Sequence, residues 1–413
     1  MNPELLSGVG NFSCAIAAIK NGADAVYFGI KEYNMRDLGT NFKESEMPKL
    51  MNYLHQNNAK GYLALNTIVF DKELKRVNKI LDTAKKSNVD AVILSDLGVL
   101  ALAKKHNLNC FLSTQASVSN YLAVKEFAKL GVKRIILARE LDLNQIKKIT
   151  RFAHKIGVEI EVFVHGAMCI AVSGRCFLSH EIFGKSANRG KCLQPCRRAF
   201  FLDGSAPNFE KKELYLEGGT ILSPKDLKTI SFLDKIIASG VDSLKIEGRT
   251  KPADYVAITT KCYREAIDSV KNKTFSKSKI DYWNAELEKV YNRGFSDGFF
   301  FSTPNGKDLA SGQGSFQKQK RIQIGFVVNY YPKVGVAEIK VIDNIKLNDE
   351  LIFEGKTTFL KQRLDSMESH HKKINFAKKG DLIGVKVNER VRINDLVFKL
   401  VERNLDRKNE DVS

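Results

Sequence analysis

No apolar run in the 413-residue chain approaches the length of a bilayer-spanning helix, which takes about 20 consecutive residues, so no membrane span is expected. The N-terminus, MNPELLSGVGNF, has neither a basic n-region nor an apolar h-region; no signal peptide is expected, and the anticipated location is cytoplasmic. Also missing is the H-E-x-x-H pattern of a zinc-peptidase helix. Acidic residues are in deficit, with 47 Asp+Glu against 66 Lys+Arg and a formal charge of +19. Such an excess attracts a polyanion over ~8–10 Å at ordinary ionic strength, and nucleic acid is the partner class it suits. Solvated surface lysines are the alternative account. Cysteine is scarce, at seven residues. In a reducing compartment, clustered thiols point to metal binding or catalysis rather than disulfides.

What is present has ordinary globular composition, 43% hydrophobic and 27% charged. One pattern recurs, a Gly or Asn followed by a short β-branched or aromatic run: NGADAVYFG (21–29), NAKGYLALN (58–66), SNVDAVILS (87–95), HNLNCFLST (106–114), LGVKRIILA (130–138), IGVEIEVFVHG (156–166) and SGVDSLKIEG (239–248). Gly or Asn accepts the left-handed conformation that closes a helix, and a continuous apolar run suits a strand covered on both faces. Amphipathic segments lie between the runs, among them 11–21, DKELKRVNKILDTAKK, DLNQIKKITRFAHK and SPKDLKTISFLDKIIAS. With ELLS (4–7) as the first strand, the alternation is eightfold. The expected fold class is therefore α/β, a (β/α)8 TIM-like barrel, with a doubly wound open sheet as runner-up.

The expected organisation is a barrel over 1–302, a Gly/Ser/Lys-rich linker over 303–320, a small β-barrel domain over 321–403 and a solvated tail over 404–413. Chemistry in such a barrel sits at the C-terminal strand ends. That rule selects Asn66, Ser95, Asp96, Thr114, Gln115, Arg139, Glu140, His165, Glu247 and Arg249, with Arg36 and Asn41 brought in by the loop after the second strand. The polar, Arg-rich rim suits a small anionic, multiply oxygenated ligand.

The stretch VHGAMCIAVSGRCFLSHEIFGKSANRGKCLQPCRR (164–198) holds four of the seven cysteines, Cys169, Cys176, Cys192 and Cys196, spaced C-x6-C-x15-C-x3-C. Four thiolates within thirty residues can close a metal or iron–sulfur site. A 4Fe–4S cluster is the first choice, zinc the second and a nucleophilic cysteine the third; four unrelated buried thiols are the structural alternative. Cys14, Cys110 and Cys262 are read as core.

EVFVHGAMCIAVSGRCFLS (161–179) resembles the signature stretch of peptidase family U32, the collagenase-like peptidases. The resemblance extends through ELLSGVGNF, GADAVYFG, STQ, ANRGKCLQPCRR, SPKDL, LKIEGR and NRGF. It implies that Cys169, Cys176, Cys192 and Cys196 ligate an iron–sulfur cluster. It further implies RNA hydroxylation: prephenate-dependent formation of 5-hydroxyuridine at the tRNA wobble position, with ribosomal RNA hydroxylation or collagenase-like proteolysis as alternatives. On that basis Arg36, Arg139 and Arg249 are expected to hold a dicarboxylate such as prephenate, and His165, between a strand end and the first of the four cysteines, to act as acid or base or to orient a neighbouring ligand. Lys245 and Glu247 form a charged strand face, either functional or a structural ion pair. Lys191, Arg197, Arg198, Lys318, Lys320 and Arg321 are the expected RNA contacts.

Overall fold

The computed structural model describes residues 2–200 and 220–403, so the 404–413 tail lies outside the described residues. Eight parallel strands close into a barrel: β1 (Glu4–Gly8), β2 (Ala25–Phe28), β3 (Lys60–Leu65), β4 (Ala91–Leu94), β5 (Cys110–Leu112), β6 (Arg134–Ile136), β7 (Glu159–Gly166) and, after a short β8 (Asp226–Lys228), β9 (Ser243–Ile246). Each pairs with its predecessor through β7, which then pairs with β9, and β9 with β1. The open-sheet alternative is thereby excluded. β8 instead runs antiparallel to the end of β7, with His165 opposite Lys228, and carries β10 (Phe295–Ser296) on its other edge.

The helix stops adopt the conformation their residue types allow. Gly22, Asn58, Asn88, Asn107, Gly131, Gly157 and Gly240 all have positive φ and feed the next strand. Starts are equally local: Asn11 Oδ1 accepts from Cys14 N, Asp96 caps through Val99 N and Asp142 forms a capping box with Gln145. One reading needs correction. SPKDLKTISFLDKIIAS is not helical throughout, because Asp226–Lys228 is strand and the α-helix spans only Leu233–Ala238. Ladder pairing with β7 overrides the helical period there.

Outside the barrel the strands bury Val26, Leu63, Val92 and Ile160 against the helices. Inside lie Leu6, Tyr27, Tyr62, Ile93, Phe111 and Ile136, together with a charged column. Arg134 contacts Glu4 at 2.5 Å, Glu159 at 2.7 Å and Glu161 at 3.3 Å, and Glu161 reaches Lys245 Nζ at 2.7 Å. Buried charges of this kind persist only when paired.

In place of the expected small β-barrel, the C-terminal domain is an eight-stranded antiparallel sheet whose two outermost strands, among the described residues, do not pair with each other, built around its own apolar core, which includes Ile324, Ile339, Leu351 and Val385. Its central strand, β11 (Gln319–Tyr331), pairs on one side with β12 (Val336–Val341) and on the other with the last strand, Leu396–Glu402. The 303–320 segment is tied to the barrel: Ala310 N donates to Ser223 O at 2.7 Å and Phe316 N to Asn292 O at 2.8 Å. Arg321 joins the domains by contacting Asp254 (3.4 Å) and Glu354 (2.6 Å). Among the described residues no helix is long and apolar enough to cross a membrane.

Candidate functional site

The C-terminal strand ends surround a cavity of about 180 Å³. Its floor is Tyr27, Ala64, Ile93, Ile136, Phe163 and Lys245, and its roof is the cysteine-rich segment. Cys169, Cys176, Cys192 and Cys196 all face this one space. Cys169 is exposed, the other three are partly buried, and all are free thiols; Cys14, Cys110 and Cys262 are buried elsewhere, as expected.

Hydrogen bonds lace the roof over the barrel. Arg197 donates to Met168 O and Pro224 O and, at 3.1 Å, to Ser223 Oγ. Cys176 N donates to Asn188 Oδ1 (2.8 Å), Leu193 N to Ser179 Oγ (3.1 Å), and Arg139 to Ala167 O (2.6 Å). Gly190 permits the closest approach: its φ is +80°, and a Cβ there would lie 1.9 Å from Asn34 O. No other residue fits that crossing.

Burial pushes the Cys196 thiol up; Arg197 opposes this, and Cys169, Cys192 and Cys176 each add to it. The four thiols thus share one electrostatic neighbourhood. Soft sulfur donors suit zinc or iron–sulfur chemistry. Among the described residues, however, no group of three His, Cys, Asp or Glu is placed to hold a metal ion. The thiols are gathered around a common space without closing on a single ion.

Four cations line the cavity beside Arg197: Arg36, Arg139, Lys245 and Arg249; Glu247 is its one carboxylate among the described residues. Arg36 Nε donates to Glu247 Oε1 at 3.2 Å. Burial alone would raise the Glu247 carboxyl, but Arg36, Lys251 and Arg139 outweigh it and hold the pKa at about 2. Arg249 donates to Asn34 Oδ1 at 3.0 Å, and burial brings it down to about 10. Arg139 stacks on Phe163 at 3.9 Å, and its buried Nε has no hydrogen-bond partner. Burial also lowers Lys245, whose ammonium is committed to Glu161. Asn66 holds the pieces in register, accepting from Met35 N (3.2 Å) and donating to Ser113 Oγ (3.1 Å) and Gln115 Oε1 (3.0 Å).

Several anticipated site residues lie elsewhere. His165 does not line the cavity; its ring packs among Tyr255, Tyr263 and Phe295, with Nδ1 3.4 Å from Tyr263 Oη. Burial drives its pKa down to about 3, which favours the neutral imidazole, packed in the core and away from the cavity lining. Glu140 is exposed and outside the cavity. Asn41 clamps its own loop by donating to Arg36 O, Asp37 O and Gly39 O. Ser95 donates to Asn66 O (3.1 Å) and Asp96 caps a helix, whereas Thr114 and Gln115 do reach the cavity.

Of the expected RNA contacts, Lys191, Arg198 and Lys320 are exposed. Lys318 is also exposed but pairs with Glu288 at 2.5 Å. Arg197 and Arg321 serve as internal braces instead. Sequence reasoning missed Tyr27, which floors the cavity under Lys245 at 4.2 Å, and Arg293, which links Asp226 (3.3 Å) to Gln194 (3.0 Å) of the roof. The NRGF motif was the available signal for Arg293. GFSDG (294–298) has G-x-S-x-G spacing, yet no strand-turn-helix elbow forms: Ser296 ends a two-residue strand, and its Oγ accepts from Gly298 N at 3.4 Å.

A closed β/α barrel whose mouth is roofed by a four-cysteine segment and lined by arginines defines the class of protein. The chain belongs to peptidase family U32, whose sequence profile matches residues 10–309. It is 46% identical over 409 residues to an uncharacterized protease of Methanocaldococcus jannaschii, covering 97% of this chain and 98% of that one. It is 34% identical over 411 residues to a collagenase of Porphyromonas gingivalis, covering 97% and 98%. It is also 34% identical over 364 residues to tRNA hydroxylation protein P1 of Bacillus subtilis, covering 86% and 83%.

Proposed function

We propose that the chain hydroxylates RNA, with 5-hydroxyuridine at the tRNA wobble position as the product and a small dicarboxylate such as prephenate as co-substrate. The observation that carries this reading is the convergence of four free thiols and the arginines Arg36, Arg139, Arg197 and Arg249 on one cavity at the barrel mouth. A tRNA hydroxylation protein among the similar proteins supports it, as does the excess of basic residues. Cys169, Cys176, Cys192 and Cys196 would hold a 4Fe–4S cluster, which supplies redox chemistry when bound; zinc is the second choice for the same sulfur donors.

The chain's own residues do the positioning. Arg139, with its unpartnered Nε, and Arg249 face the cavity with positive charge that Glu247 balances only in part. A carboxylate entering there gains charge-assisted hydrogen bonds from these guanidinium groups. Glu247 stays ionised at neutral pH and fixes Arg36 in place. A base reaching this cavity must leave its stack, and an RNA substrate would place the reaction in the cytoplasm. The test is mass spectrometry of tRNA nucleosides from a strain lacking the gene. Wild type should restore 5-hydroxyuridine derivatives and Arg249→Ala should not; full modification in the deletion strain would contradict the reading.

The second reading, peptide hydrolysis, is favoured by the collagenase among the similar proteins. Among the described residues no histidine lines the cavity to activate a cysteine. Cleavage of a collagen-like peptide by the purified protein, abolished by a single cavity substitution, would restore it.

A further inference from the structure

The outer rim of the cavity is apolar where a soluble surface usually is not. Leu38, Ile68, Phe70, Ile170, Val172 and Phe177 are 51%, 51%, 49%, 44%, 48% and 68% exposed. They come from three loops that meet at the mouth. Leu38 and Ile170 line the cavity itself. Ile68 N donates to Asn188 O at 3.4 Å, and Arg189 donates back to Ile68 O at 3.0 Å while its guanidinium covers the Phe70 ring at 4.4 Å. Phe177 directly follows Cys176, one of the four cavity thiols. Large exposed apolar side chains carried on the loops that frame a site point to a place where another molecule docks.

Charge selects the kind of molecule. The segment 164–198 carries six Arg and Lys residues against one acidic residue, Glu181. Lys185, Lys191 and Arg198 are exposed on the same segment as Phe177, and Arg198 lies over the Phe183 ring at 4.8 Å. Protein interfaces are depleted in lysine. Exposed rings interleaved with cations are instead what unpaired nucleotides need, a stacking face for each base and a positive track for the backbone.

We propose that this rim is a stacking platform for the unpaired RNA bases flanking the one that enters the cavity. Phe177 and Phe70 are the stacking rings; Lys185, Lys191 and Arg198 contact phosphates. The proposal rests on RNA being the substrate and deepens that reading. It accounts for large exposed side chains that neither the cysteines nor the arginine cavity requires.

The experiment measures fluorescence anisotropy of anaerobically purified full-length protein with three probes: a uridine-rich single-stranded RNA, a duplex RNA of equal length and a collagen-like peptide. Single-stranded RNA should bind more tightly than duplex. Phe177→Ala should weaken the single strand at least about fivefold, the low end of one base-stacking contact, with little effect on duplex, and Phe177→Trp should restore it. Phe70→Ala, in a separate loop, repeats the test should Phe177→Ala fail to fold. Single-strand affinity unchanged in both alanine variants would overturn the platform, as would binding of the peptide in place of RNA. Loss of hydroxylation is scored separately in tRNA: ring-dependent binding without any hydroxylated nucleoside sinks the enzymatic reading and leaves the platform standing.

Discussion

His165→Phe separates a core histidine from a catalytic one. The imidazole is buried among three aromatic rings, and its pKa falls from 6.5 to about 3, chiefly through burial, with Lys228 and Lys251 contributing. A histidine whose folded pKa is depressed leaves the unfolded chain binding the extra proton. Its stabilising effect is therefore complete above the unfolded value and is lost as pH falls from 6.5 towards 3. Each pH unit in that window is worth up to ~1.4 kcal/mol, so stability should drop by ~2 kcal/mol between about pH 6.5 and 5 from this residue alone. Phenylalanine fills similar space without the titratable nitrogen. Urea unfolding of both proteins at these two pH values should show the acid-dependent loss in wild type and a flatter response in the variant, while RNA modification persists. Parallel pH responses would refute the buried-neutral assignment. Loss of modification in a stably folded variant would return His165 to the chemistry.

Glu247→Gln removes the carboxylate that balances the cavity arginines. Its carboxyl moves from 4.5 to about 2 in the fold, which corresponds to ~3 kcal/mol at neutral pH. A depressed carboxyl stabilises above its unfolded pKa, so the wild-type advantage should shrink as pH falls from 4.5 towards about 2; a pH-independent difference would count against it. Arg321→Ala leaves Asp254 and Glu354 facing each other at the domain junction. Because Arg321 is partly exposed, the cost should be ~1–3 kcal/mol, read as a lower thermal midpoint with RNA affinity unchanged. A large fall in RNA affinity would instead make Arg321 a nucleic-acid contact.

The barrel was legible because its signals are local. A Gly or Asn at each helix end and a continuous apolar run after it need no tertiary information, and all seven recurrent runs became barrel strands. The thiols were legible from their spacing, since one segment folded over one mouth brings them together. What escaped was side-chain direction. His165 and Glu247 both sit near strand ends, yet Glu247 faces the cavity while His165 faces the tyrosines of the long helix Ala253–Lys271. Arg197 resembled an RNA contact because a sequence shows charge but not the carbonyls that capture it. Asp226–Lys228 was misread as helix because its partner strand lies some sixty residues earlier, and Tyr27 was passed over because an aromatic on a strand usually means core.

The most direct test of the central claim is iron and acid-labile sulfide analysis, with an absorption spectrum, on anaerobically purified wild type and Cys169→Ser. The account predicts about four irons and four sulfides per chain in wild type and their loss in a variant that remains folded. A colourless wild-type protein holding one zinc, or iron retained at full occupancy in Cys169→Ser, would contradict it.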